Sequence, residues 1–247
     1  MSPSDVGELI KPFIFLDHVD VDSDSALGFG WHPHSGIATL TLLLEGGFAY
    51  EDCTGATGTM QEGGVEWMQS GGGVWHTGNA IGEHIRGYQL WIALPPELER
   101  STANSQYLAR ESFPHDGPAR LILGELGTLR SPIGVPSPMT FLDVRLKAGE
   151  LWRYEPPSGH DVAWIAVHRG IALAGEAIQA GGMAVFEESD VSITIQADRD
   201  THFVLGSAVK HPHDLVLGHY SVHTSSSALK QGASTIRRIG AELMRAG

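Results

Sequence analysis

The sequence predicts an all-β protein built as two stacked, jelly-roll-like β-barrels with a short C-terminal helix. Short apolar segments recur along the chain, glycine-rich turns separate them, and long apolar helical patterns are scarce, which is typical of barrels and sandwiches. The chain has 247 residues, a length that suits two barrels of ordinary size. Hydrophobic residues make up 42% of it, which is enough to fill two cores.

The first predicted barrel covers residues 1–115. A Glu-Gly-Gly turn signal at residues 45–47 predicts the end of one strand, and Cys53-Thr54-Gly55, at the end of the next, predicts a hairpin. Three glycines at residues 71–73 predict a second break, before the last two strands. The predicted strands span residues 10–19, 38–44, 48–52, 65–68, 74–76 and 88–94.

The second predicted barrel covers residues 116–247, after a polar stretch at residues 95–120 that we interpret as a linker. Its predicted strands span residues 119–124, 140–146, 161–168, 183–186, 191–195 and 202–206. Apolar residues then recur at helical spacing and predict a helix over residues 229–244 that caps the barrel. These apolar positions are Ile236, Ile239 and Leu243.

The composition excludes several classes of partner. A net charge of −13 repels phosphate backbones and anionic lipids, so we expect no direct nucleic-acid binding and no membrane binding. No apolar stretch approaches the ~20 residues that a membrane-spanning helix needs. Cys53 is the single cysteine, which rules out an internal disulfide and favours a reducing compartment. Together with a polar N-terminus unlike a signal peptide, this predicts a cytoplasmic protein.

The strongest chemical signal is a His-Pro-His motif near the start of the first barrel. In a strand, residues two apart point to the same face, so His32 and His34 can both face the barrel interior. His76 lies roughly forty residues later, after a glycine-rich turn, on a strand that a meander returns beside the first. Neutral imidazole is a good ligand for iron, zinc, copper and nickel. The three histidines therefore form a candidate metal site.

The residues around these histidines resemble the pirin family. The segment GFGWHPHSGIATLTLLLEGG at residues 28–47, EWM at 66–68 and QLW at 89–91 carry the resemblance, which runs over about residues 13–94. A fainter resemblance reaches VLGHYSVHTS at residues 216–225. The resemblance implies two stacked cupin-type barrels (a bicupin) with one metal, usually iron, in the first. Some family members oxygenate the flavonol quercetin, and some act as redox-linked regulatory partners.

The positions that differ from the family pattern are those at and beside the candidate metal ligands. The three histidines match three of the four family metal ligands. The fourth is a glutamate, and Gly78 stands in its place, which cannot coordinate a metal. A second family glutamate is Ala38 here, and a family arginine is Ser35. The structural frame at residues 66–68 and 89–91 is kept.

Two interpretations of the site follow. In the first, three imidazoles hold one divalent metal, expected to be iron with zinc, nickel or copper as alternatives, and leave positions open for substrate and dioxygen. The resemblance then implies a quercetinase-like dioxygenase acting on a flavonol- or enediol-type small aromatic. In the second, loss of the carboxylate leaves a weakened or empty site, and the chain is a non-enzymatic regulatory or ligand-sensing protein with a protein partner.

Other candidate ligands are weaker. Five carboxylates could replace the missing glutamate, but turn charges are usually solvated, so we expect most of them at the surface. His211-Pro-His213 repeats the motif late in the chain, but too little sequence follows to supply a third histidine on a returning barrel strand, so we expect an exposed loop. The five carboxylates are Glu51, Asp52, Glu62, Glu66 and Glu83.

Aromatic residues flank the histidine segments and could line a pocket for an aromatic substrate. The alternative is that they fill the barrel core. Because neighbouring strand residues point to opposite faces, Trp75 faces away from His76 and is expected in the core. The other flanking residues are Phe29, Trp31, Trp67 and Trp91.

Overall fold

Strands dominate the computed structural model, which describes residues 1–22 and 28–246. A three-residue 3-10 turn at Arg110–Ser112 joins the two halves of the chain. The elements in chain order are α1 (Val6–Ile10), β1 (Phe13–Asp22), β2 (Gly28–His34), β3 (Ile37–Asp52), β4 (Thr57–Met60), β5 (Val65–Gln69), β6 (Val74–Ala93), β7 (Asn104–Leu108), β8 (His115–Asp116), β9 (Ala119–Leu123), β10 (Glu125–Leu126), β11 (Leu129–Arg130), β12 (Met139–Leu146), β13 (Leu151–Tyr154), β14 (Val162–Arg169), β15 (Ile171–Ala174), β16 (Glu176–Gln179), β17 (Met183–Val185), β18 (Ile193–Ala197), β19 (Thr201–Ala208), β20 (Val216–Gly218), β21 (Ser221–His223) and α2 (Ser226–Ala246).

The chain divides into two compact units. Unit 1 combines Met1–Arg110 with His211–Gly247, and unit 2 is Glu111–Lys210. This division differs from the predicted ranges 1–115 and 116–247, because the C-terminal segment returns to the first unit. There, Trp75 Nε1 donates a hydrogen bond of 2.7 Å to the Ile236 carbonyl of α2, which fixes the helix against β6.

Unit 1 is organised around one antiparallel sheet of seven strands. Its order is β1-β6-β3-β5-β7, with β2 also paired to β6 and β4 to β3. The apolar faces of β3 and β6 are fully buried, for example at Leu40 and Leu90. In the pairing of β2 with β6, His32 lies opposite His76. The meander thus brings the predicted ligands side by side, as the spacing of the histidines requires.

The hairpin predicted at residues 53–55 is confirmed, because β3 and β4 pair antiparallel on either side of it. The turn predicted at residues 45–47 is wrong, because β3 runs through it. Gly46 has φ +82°, and the register of β3 against β6 shifts on either side of Glu45. This combination is a bulge, which bends a strand without ending it. The predicted strands at residues 74–76 and 88–94 are likewise the two ends of the continuous strand β6.

Unit 2 contains a six-stranded sheet ordered β17-β14-β19-β12-β9-β8 and a four-stranded sheet ordered β13-β18-β15-β16. The strands predicted for this half are confirmed to within two residues, and so is the all-β class. Within the described ranges the strand ladders form open sheets and close no barrel, an arrangement compatible with a double-sheet jelly roll. A cluster that includes Leu142, Ile165 and Phe203 fills the core.

The predicted C-terminal helix is confirmed, and it begins three residues earlier than expected, at Ser226. Ser225 caps it, because its Oγ accepts a hydrogen bond of 3.2 Å from the Ala228 amide. Ala228 and Ile236 face the protein and are buried. In the part of the chain that the structure describes, neither helix has the length and apolar character needed to cross a bilayer.

Candidate metal centre

The structure brings the three predicted histidines together. His32 and His34 project from the same face of β2, and His76 projects from the neighbouring strand β6. One ring nitrogen from each lies within 4.8 Å of the others. The ring centroids of His32 and His76 are 4.2 Å apart, and His34 lies 5.1 Å from His76. In the described residues this is the one such group of three potential metal ligands.

Each histidine is held by a hydrogen bond at Nδ1. The partners are oxygens that only accept, so Nδ1 carries the hydrogen and Nε2 keeps its lone pair. Nε2 of His34 and Nε2 of His76 are buried and have no hydrogen-bond partner among the described residues. Orphaned buried nitrogens of this kind fit a metal ion. The acceptors are Gly30 O for His32 (2.8 Å), Tyr220 O for His34 (3.1 Å) and Glu66 Oε1 for His76 (3.3 Å).

Burial also keeps the imidazoles of His32 and His34 neutral. It holds the pKa of His34 well below its usual range, and the nearby His76 and His32 lower it further. The pKa of His32 is lowered by burial first and then by His76. Neutral imidazole is the form that binds a metal, so protons compete little for these two nitrogens near pH 7.

Glu66 is part of the site, although the sequence analysis expected most of the carboxylates to be solvated. It lies on β5 with 2% of its surface exposed, and Thr41 Oγ1 donates to its Oε2 at 2.8 Å. Burial alone would raise the pKa of Glu66, but hydrogen bonds from His76, Thr41 and Tyr107 lower it overall. A carboxylate behind a ligating histidine fixes the ring and raises its basicity.

The remaining carboxylates divide into two groups. Asp52 is also buried, which the sequence analysis did not expect, and its Oδ1 accepts from the Thr54 amide at 2.7 Å. Glu51, Glu62 and Glu83 are exposed, as expected. The apolar neighbours of Glu66 in the strand Val-Glu-Trp-Met indicated that Glu66 is buried. A buried carboxylate needs a hydrogen-bond or charge partner, so the same pattern indicated that Glu66 has one.

The position that lacks the family glutamate is sterically closed. A Cβ atom at Gly78 would lie 2.2 Å from Cζ of Phe48, on the adjacent strand β3. The Phe48 ring therefore occupies the space that a side chain at Gly78 would need. Ala38 is fully buried in β3, and Ser35 is buried and bonded to Ser221. The residues at all three positions that differ from the family pattern, Gly78, Ala38 and Ser35, are thus fitted by the packing or hydrogen bonds of their neighbours.

A cavity opens beside His32 and His76. Its enclosed volume is about 50 Å³, which is room for a few water molecules, and it opens to solvent at its mouth. Glu66, Asp17 and Gln89 are polar groups in its wall. The rest of the wall is mostly apolar, including Val19, Phe29, Leu43, Phe48, Ile85 and Tyr88.

Of the aromatic residues considered from the sequence, Phe29 lines this cavity and the tryptophans do not. Trp67 is buried in the core, and Trp75 packs against α2, in line with the core alternative. Trp91 packs edge-on against His34, with ring centroids 5.1 Å apart. Trp31 is exposed.

The late His-Pro-His motif does not join the site. His211 is buried with 4% of its surface exposed, which corrects the expected exposed loop, whereas His213 is exposed. The His211 amide donates to the Lys11 carbonyl at 2.9 Å, so the motif attaches the C-terminal segment to the start of unit 1.

Comparisons with known proteins agree with this architecture. The family model for pirin matches residues 2–92. A pirin-like protein from Caulobacter vibrioides is 33% identical over 212 residues, covering 81% of this chain and 76% of its own. A Vibrio cholerae protein provisionally named quercetin 2,3-dioxygenase is 34% identical over 206 residues, covering 76% of this chain and 72% of its own.

A solved structure extends the agreement to the whole fold. The crystal structure of quercetin 2,3-dioxygenase from Acinetobacter baumannii superposes with a TM-score of 0.86 at 22% identity, covering 96% of this chain and 88% of that one. At this identity the superposition shows the cupin fold alone. Taken with the relatives above, it shows that the chain belongs to the pirin family.

Proposed function

We propose that the chain is a metal-dependent dioxygenase that acts on a flavonol or a related small aromatic with adjacent oxygens. The observation that carries this proposal is the set of three imidazoles, His32, His34 and His76, at the edge of an apolar cavity. Iron is the proposed metal, and zinc, nickel and copper suit the same ligands. The provisional name of the Vibrio cholerae relative supports the reaction class.

When bound, the metal would supply a Lewis acid that polarises the substrate oxygens and provides a place for dioxygen. The protein's part begins with the three histidines, whose Nδ1 hydrogen bonds hold the rings in the ligating tautomer before the metal arrives. Phe29, Phe48 and Tyr88 in the cavity wall exclude water and offer aromatic surfaces to a flat ring.

Two carboxylates in the wall have different roles in this proposal. Both oxygens of Glu66 are engaged, one by His76 and one by Thr41, so Glu66 orients the ligand and does not take a substrate proton. Asp17 and Gln89 lie across from each other on β1 and β6 and line the cavity. We assign them to hydrogen bonds with substrate hydroxyl groups, with Asp17 as the proton acceptor.

A second candidate function is a binding protein that senses a small aromatic ligand or a metal and signals to a protein partner. The packing of Phe48 over Gly78 favours this second function, because the apolar Phe48 ring fills the space that the glutamate side chain of the family pattern would need. A wall of this kind improves ligand binding without adding chemistry.

The test compares untagged wild-type protein with His76→Ala and with His213→Ala, which removes an exposed histidine of unit 1 outside the cluster. Elemental analysis gives the metal content, and an oxygen electrode follows dioxygen uptake with quercetin after iron loading. We expect about one metal per chain and quercetin-dependent uptake in wild type and His213→Ala, and loss of both in His76→Ala.

The outcomes separate the two candidates. Bound metal without oxygen uptake on flavonols or catechols would contradict the dioxygenase and favour the binding protein. Absence of metal from the wild type, even after reconstitution, would contradict every metal-centred function.

A further inference from the structure

The hairpin formed by β20 and β21, in the C-terminal segment of the chain, contacts the candidate metal centre. Its tip is His219-Tyr220, and the Tyr220 carbonyl accepts the hydrogen bond from Nδ1 of His34. The Tyr220 ring lies 5.7 Å from the His32 ring and 5.9 Å from the His34 ring, measured between centroids. One residue of the C-terminal segment therefore contacts two of the three candidate ligands.

Tyr220 adopts a backbone conformation that favours glycine. Its φ is +55°, and it is the one residue other than glycine with positive φ in the part of the chain that the structure describes. A bulky residue in the left-handed region is strained, and such strain persists where surrounding contacts hold it, often at functional sites. Here the contacts that hold it are those to His32 and His34.

The hairpin is anchored directly behind His34. Ser35 Oγ donates to Ser221 Oγ at 2.9 Å and lies 3.0 Å from Nε2 of His223. A Cβ atom at Gly36, where φ is +75°, would lie 2.0 Å from the Val222 carbonyl oxygen. The two backbones approach so closely that position 36 has no room for a side chain.

A buried carboxylate completes the anchor. Glu99 accepts from the Thr224 amide at 2.8 Å and from Thr224 Oγ1 at 3.1 Å. It also faces Nδ1 of His223, 3.4 Å away. Ser35, His223 and Glu99 are arranged like a hydrolytic triad, but Ser35 is fully buried, so the arrangement holds the hairpin in place.

From these contacts we infer that the hairpin of residues 216–223 is a positioning element of the metal site, with Tyr220 as its positioning residue. Docking of the hairpin fixes the tautomer and orientation of His34, and a metal on His34 in turn holds the hairpin down. Metal binding and hairpin docking are therefore thermodynamically coupled, and each strengthens the other by the same factor. The inference rests on the metal site of the proposed function but not on its dioxygenase activity.

The test uses the full chain and Zn²⁺, which is redox-inert. Hydrogen–deuterium exchange is followed with and without zinc in wild type, Tyr220→Phe and Tyr220→Gly, and zinc affinity is measured by chelator competition. Glycine suits the backbone at this position and keeps the carbonyl, so the variant is expected to fold while releasing the ring contacts. The hairpin at residues 171–179, in unit 2, serves as the internal control.

We expect zinc to slow exchange of residues 216–223 by about 10-fold or more in wild type and Tyr220→Phe, and to leave residues 171–179 unchanged. Tyr220→Gly keeps the carbonyl and the Ser35 and Glu99 anchors, so it should lose only the part of this protection that the ring contacts provide and bind zinc more weakly by up to about 10-fold, the usual scale for outer-shell changes. Stoichiometric zinc on the wild type with no change at residues 216–223 would overturn the inference alone. Failure of the wild type to bind zinc would overturn the metal site and the coupling together.

Discussion

In the proposed metal site, Glu66 acts through His76 and not as a direct ligand. Its carboxylate is buried, and its hydrogen bonds lower its pKa, so it is ionised near pH 7. The family position for an inner carboxylate is Gly78, which leaves three neutral ligands. Glu66 therefore supplies a negative charge behind His76 and not at the metal itself. There it strengthens His76 as a ligand and leaves a coordination position open.

This role predicts the effect of Glu66→Gln. An amide keeps the shape of the side chain and an acceptor for His76 Nδ1, but removes the charge, so zinc affinity should fall by about 10-fold. Chelator competition measures the change, and thermal unfolding reports the fold. Asp143→Asn is the matched control, because Asp143 is a buried carboxylate paired with His202 in unit 2. Unchanged zinc affinity in Glu66→Gln would contradict the role.

At the scale of elements, the pairing of β3 with β6 decides which ligands the site can hold. Gly78→Glu would restore the family carboxylate, but its Cβ would overlap the Phe48 ring, so we expect a loss of about 1–3 kcal/mol in unfolding free energy and no gain in zinc affinity. Adding Phe48→Ala removes the ring but keeps the approach of 2.9 Å between this Cβ and the Ala49 carbonyl oxygen.

The double variant should therefore bind zinc about 10-fold more tightly than Phe48→Ala alone, with a stability no higher than that of Phe48→Ala. Urea unfolding and chelator competition measure the two quantities. Tighter zinc binding in Gly78→Glu without the second change would show that Phe48 does not close the position.

The periodicity and spacing of residues in the sequence predicted those features that depend on neighbouring residues alone. Alternation along β2 placed His32 and His34 on one face, and helical spacing predicted α2. Turn residues also predicted the hairpin at residues 53–55, but the turn predicted at residues 45–47 is a bulge, because a glycine bulge and a turn use the same residues and only pairing with β6 distinguishes them. Sequence patterns also missed the partnership of Glu66 with His76, because the two residues do not occupy paired strand positions: Glu66 lies opposite Thr41 on β3, and His76 lies opposite Asp52.

At the scale of the whole molecule, the unpredicted feature is the return of residues 211–247 to unit 1. Sequence patterns are local, whereas this return depends on pairs about 190 residues apart or more, such as His34 with Tyr220 and Lys11 with His211. The return buries His211, whose pKa falls to about 4 through burial first and then through the nearby His213 and Lys11, against smaller opposing effects of the carboxylates Glu99 and Glu8.

A histidine buried in its neutral form makes stability depend on pH. The unfolded chain takes up a proton at His211 near the ordinary pKa of ~6.5, while the folded chain does so only near 4, so stability is full above pH 6.5 and falls as the pH drops toward 4. We expect His211→Gln to reduce the loss of unfolding free energy between pH 7 and pH 5 by about 1–2 kcal/mol. Urea unfolding of the metal-free protein at each pH measures it, with the exposed His219→Gln as control. An unchanged pH dependence in His211→Gln would show that the anchor of the C-terminal segment is not the group that titrates.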